Sequence, residues 1–438
     1  MRLFALSSII IIVALSGCQT SNSVNGGSSR SIDLAAARTH ATNYRISSSA
    51  GVEQLVSQAL KNHPSLAAAR QKIIRLQAKV PQAQSLPDPK ARISGGSLAE
   101  TAAGRVNAVA GLEQAIPFPG KRRAKANAAQ KEADAARAEL ENLKLRVAER
   151  VRFAYWSYYL ADQNQRISRE SKEVLQTIQE IVHARVKANQ GTQADLLRIS
   201  TEISKVDQQI ITARQQTNSA KATLNALLNR PSNSRLPNPK RSSVPSSSSL
   251  NNLIARAESA HPSVKAGQAR LTAFQHRLRS ARLEAYPDFL LGVQYASISN
   301  SGLSPVANGR DQTMITLGFT IPLWEKPRKA KISEANAGIA EMQASVATSR
   351  AELRQRVEDA WFRAQSSREM ITLFDTRLIP DAKQAHELAL QSYSAGKQSF
   401  IDVLDTWRVL LKFQLHQEGN RASLGKASAS LKSAAAIR

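Results

Sequence analysis

The chain has 438 residues, and 60 lysines and arginines against 34 aspartates and glutamates give it a formal net charge of +26. A single cysteine excludes a disulfide framework and any zinc site built from several cysteines. Charged residues make up 21% of the chain, which excludes a polytopic helical membrane protein, and the low aromatic content favours long helices over one compact core. The charge alone suggests nucleic acid or an acidic surface as a partner.

The first residues of the chain indicate export. Residues 1–17 carry Arg2 and then an apolar run of about a dozen residues, which is too short to cross a bilayer as a helix. The segment Leu15-Ser16-Gly17-Cys18 resembles the lipobox of bacterial lipoproteins, which implies removal of a signal peptide over 1–17 and lipid attachment to Cys18. Gln19 implies sorting to the outer membrane, since the inner-membrane retention residue aspartate is absent. An ordinary secretory signal with an incidental cysteine is the alternative, and export argues against nucleic acid as a partner.

The rest of the chain contains two copies of one sequence unit. Matched motifs occur in the same order: His63-Pro64-Ser65 with His261-Pro262-Ser263, Pro87-Asp88 with Pro287-Asp288, and Ile116-Pro117 with Ile321-Pro322. The two histidines are interpreted as helix-start residues rather than metal ligands. A Pro- and Ser-rich stretch between the copies is typical of a linker. The predicted domains after the signal peptide are a lipid-anchored tether over 18–51, a first repeat over 52–230, the linker over 231–249 and a second repeat over 250–438.

Each copy is predicted to begin with a helix and to continue with strands. The first such helix is expected over residues 64–80, ending at Pro81. In the second copy apolar residues alternate with others in two runs: Phe289, Leu291, Val293 and Tyr295, then Ile315, Leu317, Phe319 and Ile321. The first copy has a weaker run at Val106, Ala108, Ala110 and Leu112, and residues 90–100 are poor in apolar side chains. Runs of about ten residues with a period of two suit tilted strands of a membrane barrel, and a soluble hairpin is the alternative.

A long helical hairpin follows in each copy. Residues 121–188 contain no proline, and as one helix they would extend roughly 100 Å. The next helix carries a coiled-coil heptad at Leu196, Ile199, Ile203, Val206, Ile210, Ala213, Thr217, Ala220, Leu224 and Leu227. Turns are predicted at 189–192 and 395–398, where Gly191 and Gly396 would adopt the left-handed conformation that ends a helix. Pro380 is predicted to interrupt the helix that leads to the second turn.

The repeat, the strand pairs and the long hairpins together resemble the TolC-like outer-membrane efflux family, from residue 52 almost to the C-terminus. The most specific segments are 393–405, its counterpart 191–197, and the run Ile116-Pro117-Phe118-Pro119-Gly120-Lys121, which resembles the heavy-metal branch of the family. The resemblance implies a mostly α-helical protomer with a small β part, built from two tandem repeats with long coiled-coil hairpins and four strands. Three protomers would join their strands in one twelve-stranded β-barrel, since a single protomer would leave strand edges open in lipid.

The function implied by this resemblance is passive conduction across the outer membrane, with no catalysis and no cofactor. The homotrimer would carry small solutes or metal cations from the periplasm to the exterior, with a weak preference for the cations on the resemblance to the heavy-metal branch. An inner-membrane transporter of the resistance-nodulation-division type would supply the energy through a periplasmic adaptor protein. The implied adaptor contacts are the residues of the hairpin turns: Gly191, Thr192, Gly396 and Lys397.

An acidic gate at the closed periplasmic end is also implied by the resemblance. Its residues would be Asp195, Asp402 and Asp405, and a ring of carboxylates favours cations. The chain departs from the family at Gln398, where some members carry an arginine that pairs across the gate. An alternative role for Asp195 and Asp402 is to stabilise a helix N-terminus through the helix dipole.

Other interpretations remain open at the level of sequence. An exit duct for protein secretion has the same features, and a lipid-anchored periplasmic coiled-coil scaffold without a pore has all of them except the strand runs. Two basic clusters follow the last strand of each copy, Lys121-Arg122-Arg123 and Lys326-Pro327-Arg328-Lys329, and are expected either to face anionic lipid or to be solvated helix starts. The tryptophans on helices, Trp156, Trp361 and Trp407, are predicted to pack, whereas Trp324 is a candidate interfacial anchor.

Overall fold

The structure is a computed structural model, and it describes residues 46–47, 50–96, 100–241 and 249–437. The predicted signal peptide, Cys18, most of the predicted tether and the middle of the predicted linker lie outside these residues. The described residues form ten α-helices, one π-helical turn and five β-strands.

The elements occur in two series of similar order. The first series consists of α1 (Val52–Asn62), α2 (Pro64–Gln77), α3 (Lys79–Gln84), β1 (Lys90–Gly95), β2 (Glu100–Thr101), β3 (Gly104–Ile116), α4 (Lys121–Lys187) and α5 (Gln193–Leu227). The second series consists of α6 (Leu250–Ala260), α7 (Pro262–Leu283), β4 (Phe289–Ile298), β5 (Gln312–Phe319), α8 (Glu325–Leu373), the π-helical turn (Phe374–Leu378), α9 (Ile379–Ser394) and α10 (Phe400–Ala434). Each series therefore runs from short helices through strands into a long helical hairpin.

Both histidines of the His-Pro-Ser motifs begin helices. Nδ1 of His63 accepts a hydrogen bond from the backbone N–H of Ser65 at 3.3 Å, and Nδ1 of His261 accepts one from Ser263 at 3.2 Å. Proline occupies the start of both helices, where its missing N–H leaves no helical hydrogen bond unmade. The interpretation of these histidines as helix-start residues is confirmed.

The first of these helices ends earlier than predicted. α2 ends at Gln77, and Pro81 lies inside the separate short helix α3. The prediction of one helix over 64–80 that ends at Pro81 is therefore wrong. Pro81 stands in the first turn of α3, where backbone N–H groups have no acceptor within the helix, so a proline there costs no hydrogen bond.

The first long hairpin follows the sequence prediction closely. α4 is one uninterrupted helix of 67 residues, and at 1.5 Å per residue it extends about 100 Å. α5 returns along α4, and every predicted heptad position on α5 is buried or half-buried. The fully buried ones are Ile199, Val206, Ala213, Thr217 and Leu224.

The second long hairpin contains an irregular turn. Pro380 is the second residue of α9, which directly follows the π-helical turn. Proline has no N–H, and its ring clashes with the carbonyl four residues earlier, so a wider turn accommodates it. The predicted interruption is confirmed, and it widens the helical path without ending it.

Three apolar clusters hold the helices together. The first joins α1, α4 and α5 and contains Trp156. The second joins α4, α5, α9 and α10 near the hairpin turns and contains Trp407. The third joins α6, α7, α8 and α10, and Trp361 packs against it. The predicted packing roles of these three tryptophans are confirmed, whereas Trp324 is 79% exposed.

The strands form a single small sheet that connects the two series. β1, β3, β4 and β5 are antiparallel neighbours in that order, and β2 pairs only with β3. The two strands predicted in the second copy are confirmed, although β5 ends at Phe319, before Ile321. Among the described residues, β1 and β5 each have one edge with no partner strand.

Candidate functional site: the hairpin turns and the strand sheet

The first hairpin turn lies between α4 and α5. Asn189 adopts the left-handed conformation with a φ of 58°, and the N–H groups of Asn189 and Gln190 donate to the carbonyls of Val186 and Arg185 at 3.1 and 2.9 Å. The prediction that Gly191 takes this conformation is wrong, because the helix ends earlier and asparagine tolerates a positive φ. Gly191 instead permits a close approach, since a Cβ there would lie 3.1 Å from Cγ2 of Val186.

The second hairpin turn, between α9 and α10, has the same hydrogen bonds. Gly396 has a φ of 75°, as predicted for this glycine. The N–H groups of Gly396 and Lys397 donate to the carbonyls of Tyr393 and Ser392 at 3.0 and 2.9 Å. Both turns therefore close the preceding helix with one motif, built on asparagine in the first and on glycine in the second.

Each turn leads into a helix with a reciprocal cap. Oδ2 of Asp195 accepts from Oγ1 of Thr192 at 2.8 Å, and Oδ2 of Asp402 accepts from Oγ of Ser399 at 2.8 Å. In both pairs the aspartate also accepts from the backbone N–H of the capping residue. Asp195 and Asp402 thus stabilise helix N-termini, which is the alternative role that their sequence position leaves open.

The third predicted gate residue is more exposed. The side chain of Asp405 is 61% exposed, and Oδ1 accepts from Nη1 of Arg408 at 2.9 Å. Arg408 also donates to the buried carboxylate of Glu202, which links α10 to α5. Nζ of Lys205 lies 2.8 Å from the same carboxylate. Burial raises the pKa of Glu202, but the hydrogen bonds from Arg408 and Lys205 outweigh it and hold this pKa below its ordinary value.

The two hairpin turns lie against each other. The guanidinium of Arg185, at the end of α4, stacks 4.5 Å from the centre of the Tyr393 ring. The ring of Phe400 lies 5.5 Å from Tyr393, and both aromatic residues belong to the second apolar cluster. Burial, followed by the Asp195 carboxylate, raises the pKa of the Tyr393 hydroxyl. The Asp195 carboxylate of the first turn therefore acts on Tyr393, which lies at the end of α9 beside the second turn.

The predicted adaptor contacts are accessible in the structure. Thr192, Gly396 and Lys397 are exposed, and Gly191 is half-buried. Two large apolar side chains near the turns were not predicted: Leu197 is 66% exposed and Ile401 is 45% exposed. The position of Leu197 directly after the heptad residue Leu196 was an available signal, because an apolar residue next to the seam faces away from it.

The strand sheet has one apolar face. Cross-strand pairing places Leu291 opposite Leu317 and Val293 opposite both Ile315 and Leu112. The large apolar side chains of this face are all exposed: Ile93, Leu112, Ile116, Phe289, Leu291, Val293, Tyr295, Ile315, Leu317 and Phe319. Such an exposed apolar band with a period of two is what lipid-facing strands require.

The opposite face of the sheet is concave and more polar, although Leu290 and Met314 also lie on it. Gly111, Gly292 and Gly318 lie on it and leave a groove of about 420 Å³. A Cβ at Gly111 would lie only 3.0 Å from Cγ of Gln294, so small residues permit the curvature on this side. Lys90, Arg92 and Glu113 also line the groove. The sheet therefore has one apolar face and one more polar face.

A partly buried ion pair joins the sheet to the helices. Nζ of Lys121, the first residue of α4, lies 2.7 Å from Oδ1 of Asp288, directly before β4. The same carboxylate accepts from the N–H of Phe118 at 2.7 Å, and the Phe118 ring stacks on Tyr286 with 4.6 Å between ring centres. Lys121 is 6% exposed, so the expectation that it faces lipid or solvent is wrong.

No helix among the described residues is long and apolar enough to cross a membrane. Within the same residues, no three histidine, cysteine, aspartate or glutamate side chains come together as metal ligands would.

The sequence profile of the family described as outer membrane efflux protein matches residues 55–230 and 253–436. The chain belongs to the outer membrane efflux protein family. The resemblance to TolC-like outer-membrane efflux proteins is thereby confirmed. Members of this family are efflux channel proteins of the outer membrane and not enzymes.

Known proteins of similar sequence and fold agree with this assignment. The pyoverdine export outer membrane protein OpmQ of Pseudomonas putida is 26% identical over 411 residues, which covers 87% of this chain and 84% of OpmQ. The cobalt-zinc-cadmium resistance protein CzcC of Cupriavidus metallidurans is 21% identical and covers 84% of this chain and 85% of CzcC. The structure of the outer-membrane channel OprN aligns with a TM-score of 0.75 at 16% identity, covering 88% of this chain and 90% of OprN.

Proposed function

We propose that this outer membrane efflux protein is the exit duct of a tripartite efflux system and that three copies of the chain form one channel. The observation that supports this most strongly is the four-stranded sheet, which combines an exposed apolar face with two unpaired edges. In lipid, unpaired strand edges would leave backbone N–H and C=O groups without hydrogen bonds. Because the four strands alternate in direction, β5 of one copy would pair antiparallel with β1 of the next. Three sheets would close one twelve-stranded barrel in this way.

The helical hairpins would form the periplasmic part of the duct. α4 and α5, and α8 to α10, lead away from the sheet, and α4 alone extends about 100 Å. The two stretches matched by the family profile support two tandem repeats over 52–230 and 250–438, separated by the linker over 231–249. A signal peptide over 1–17 and a lipid on Cys18, followed by a tether over 18–51, would anchor each copy to the outer membrane.

The hairpin turns would meet the partner proteins. Thr192, Gly396 and Lys397 are exposed there and, with Gly191, would contact a periplasmic adaptor. The adaptor would connect the duct to an inner-membrane transporter of the resistance-nodulation-division type. Leu197 adds an exposed apolar side chain that suits an adaptor interface.

The same turns would form the periplasmic gate. Three copies of Asp195, Asp402 and Asp405 would line its narrowest point, and the Asp405 carboxylate is the most exposed of the three. The capping role of Asp195 and Asp402 fits a gate, because it holds both carboxylates at fixed positions. The link from Arg408 to Glu202 would keep α10 against α5 in the closed state.

The cargo is the least determined part of the proposal. The name of one relative refers to pyoverdine export and that of the other to cobalt, zinc and cadmium resistance, so small solutes and metal cations are both compatible with the family. A duct for protein secretion would have the same barrel. A scaffold without a pore is not favoured, because it gives no role to the apolar face of the sheet.

Channel recordings on the purified protein test this proposal. We expect the protein to migrate on gels as a heat-sensitive trimer and to conduct ions in planar lipid bilayers. A variant with Asp402→Ala and Asp405→Ala, which opens the proposed gate, should conduct more than the wild type. Trimers that show no conductance in either form would overturn the proposed function.

A further inference from the structure

All charged residues within the paired register of the four-stranded sheet lie on its concave face. They are Lys90 and Arg92 on β1 and Glu113 on β3, and they line the groove between the strands. β4 and β5 contribute Gln294 and Thr316 to this face but no charge. In the barrel proposed above, this face is the wall of the lumen. The lumen would therefore carry two positive charges and one negative charge from each copy.

The negative charge on this face lies next to a positive one. Glu113 stands directly opposite Lys90 in the register of β1 and β3, so the fields of these two groups largely cancel. Arg92 stands opposite Gly111, beyond which lies Gln294. Among the described residues Arg92 has no hydrogen-bond or ion-pair partner, and its side chain is exposed to the groove. The three groups thus leave one net positive charge per copy on this face, and Arg92 is the cation without a carboxylate directly opposite.

The carboxylates at the opposite end of the molecule are compensated. Asp195 and Asp402 accept hydrogen bonds from their capping residues, and Arg198 lies 3.5 Å from Asp195. Asp405 pairs with Arg408. Arg198 and Arg408 reduce the fields of Asp195 and Asp405, whereas no carboxylate stands directly opposite Arg92 in the sheet. Low-dielectric walls also focus a field within a narrow lumen.

We propose that the Arg92 side chains of three copies form a cationic ring inside the barrel and that this ring makes the duct selective for anionic solutes. A ring of arginine or lysine side chains attracts anions and repels cations. The substrate class would then be small molecules with carboxylate, phosphate or sulfate groups. This assignment rests on the proposed function, because it needs the barrel that three copies form. It opposes the weak preference for metal cations that the Pro117-Phe118-Pro119-Gly120-Lys121 run suggests.

The reversal potential across a KCl gradient tests the proposal on the full-length trimer in planar bilayers. We expect the wild type to favour Cl⁻ over K⁺ by roughly twofold to fivefold at about 0.1 M salt, since three unit charges act across a distance comparable to the Debye length of about 10 Å. Arg92→Gln should bring this ratio close to one, and Arg92→Lys should retain the preference. Lys72→Gln is the matched control, because Lys72 lies on α2 and pairs with Glu139, away from the sheet.

Four results would overturn the assignment. A wild-type channel that favours K⁺, or an Arg92→Gln channel with an unchanged ratio, would show that the ring does not set selectivity and would leave the proposed duct intact. A trimer without any conductance would remove the proposed function and the assignment with it. A ratio that also changes in Lys72→Gln would attribute the selectivity to the overall positive charge rather than to Arg92.

Discussion

The hairpin turns and the strand sheet differ in how far the packing and hydrogen bonding within one chain satisfy them. At the hairpin turns, capping boxes, closing hydrogen bonds and a shared apolar cluster hold the helix ends together within one chain. At the sheet, two edges remain unpaired and the largest apolar side chains are exposed. One end is therefore stabilised by its own packing, whereas the barrel proposed above would cover the other with lipid and further copies of the chain.

The largest expected effect comes from placing a charge on the apolar face of the sheet. Leu317→Arg should abolish trimers in the membrane, because an arginine at the midplane costs about 2–4 kcal/mol in each copy. Thr316→Arg is the matched control, since Thr316 is the next residue and faces the groove. The fraction of heat-sensitive trimer in purified outer membranes measures both variants. Equal trimer fractions would contradict the assignment of the two faces.

A second prediction concerns the apolar cluster at the hairpin turns. Trp407→Ala should destabilise the hairpin ends by about 3–5 kcal/mol, because it removes a large side chain that is buried in the second cluster. Protease cleavage near the turns should become much faster while the trimer persists. Trp324→Ala is the control, and its exposed side chain predicts no change in cleavage. Loss of the trimer in Trp407→Ala would mean that the two ends are not independent.

A third prediction concerns the link between α5 and α10. The pKa of Glu202 lies below its ordinary value of 4.5, so its stabilising effect is present above about pH 5 and is lost as the pH falls through the lower folded-state pKa. Glu202→Gln should lower the stability of the hairpin ends by about 1–3 kcal/mol at pH 7. It should also flatten the dependence of that stability on acidic pH.

Protease cleavage at the turns, measured from pH 3.5 to pH 7, checks this prediction. The control is Glu170→Gln, which removes an exposed pair with Arg166 and should change stability by less than about 0.5 kcal/mol. An unchanged pH profile in Glu202→Gln would show that other groups produce the acid sensitivity.

The smallest expected effect concerns the two capping boxes. Thr192→Ala and Ser399→Ala should each cost about 1 kcal/mol and speed amide exchange roughly fivefold in the first turn of α5 or α10. Thr201→Ala is the control, because the Thr201 hydroxyl is exposed and bonds only within its own helix. Exchange that rises equally in all three variants would contradict a special role for the caps.

Local patterns explain which parts of the fold the sequence predicts. The heptad on α5 and the alternation in β4 and β5 each follow from one period over many residues. β1 was poorly predicted because its apolar side carries only Ala91 and Ile93 among six residues. The sequence predicted the left-handed conformation at Gly191, whereas Asn189 adopts it. Glycine and asparagine both tolerate this conformation, so the choice between them depends on the residue at which the helix ends.

The sequence predicts a feature of the candidate site only where all residues of that feature lie in one short segment of the chain. The sequence predicts that Asp195 and Asp402 can stabilise helix N-termini through the helix dipole. The capping boxes were not predicted, although the serine or threonine three residues before each aspartate was an available signal. The link between Arg408 and Glu202 joins residues 206 positions apart, and no pattern in the sequence connects them. The burial of Lys121 against Asp288 was missed for the same reason.

Cross-linking between the two unpaired strands tests the central claim most directly. Ser94→Cys on β1 would be combined in turn with Met314→Cys and Thr316→Cys on β5, because all three residues face the groove. Two β5 positions are tested because the register between β1 and β5 of neighbouring copies is not known. The account predicts that at least one pair forms a disulfide between copies, which gives a covalent trimer on non-reducing gels, while the wild type, with Cys18 alone, forms none. Membrane-inserted protein that yields no linked species larger than a monomer with any pair would contradict a barrel closed by three chains.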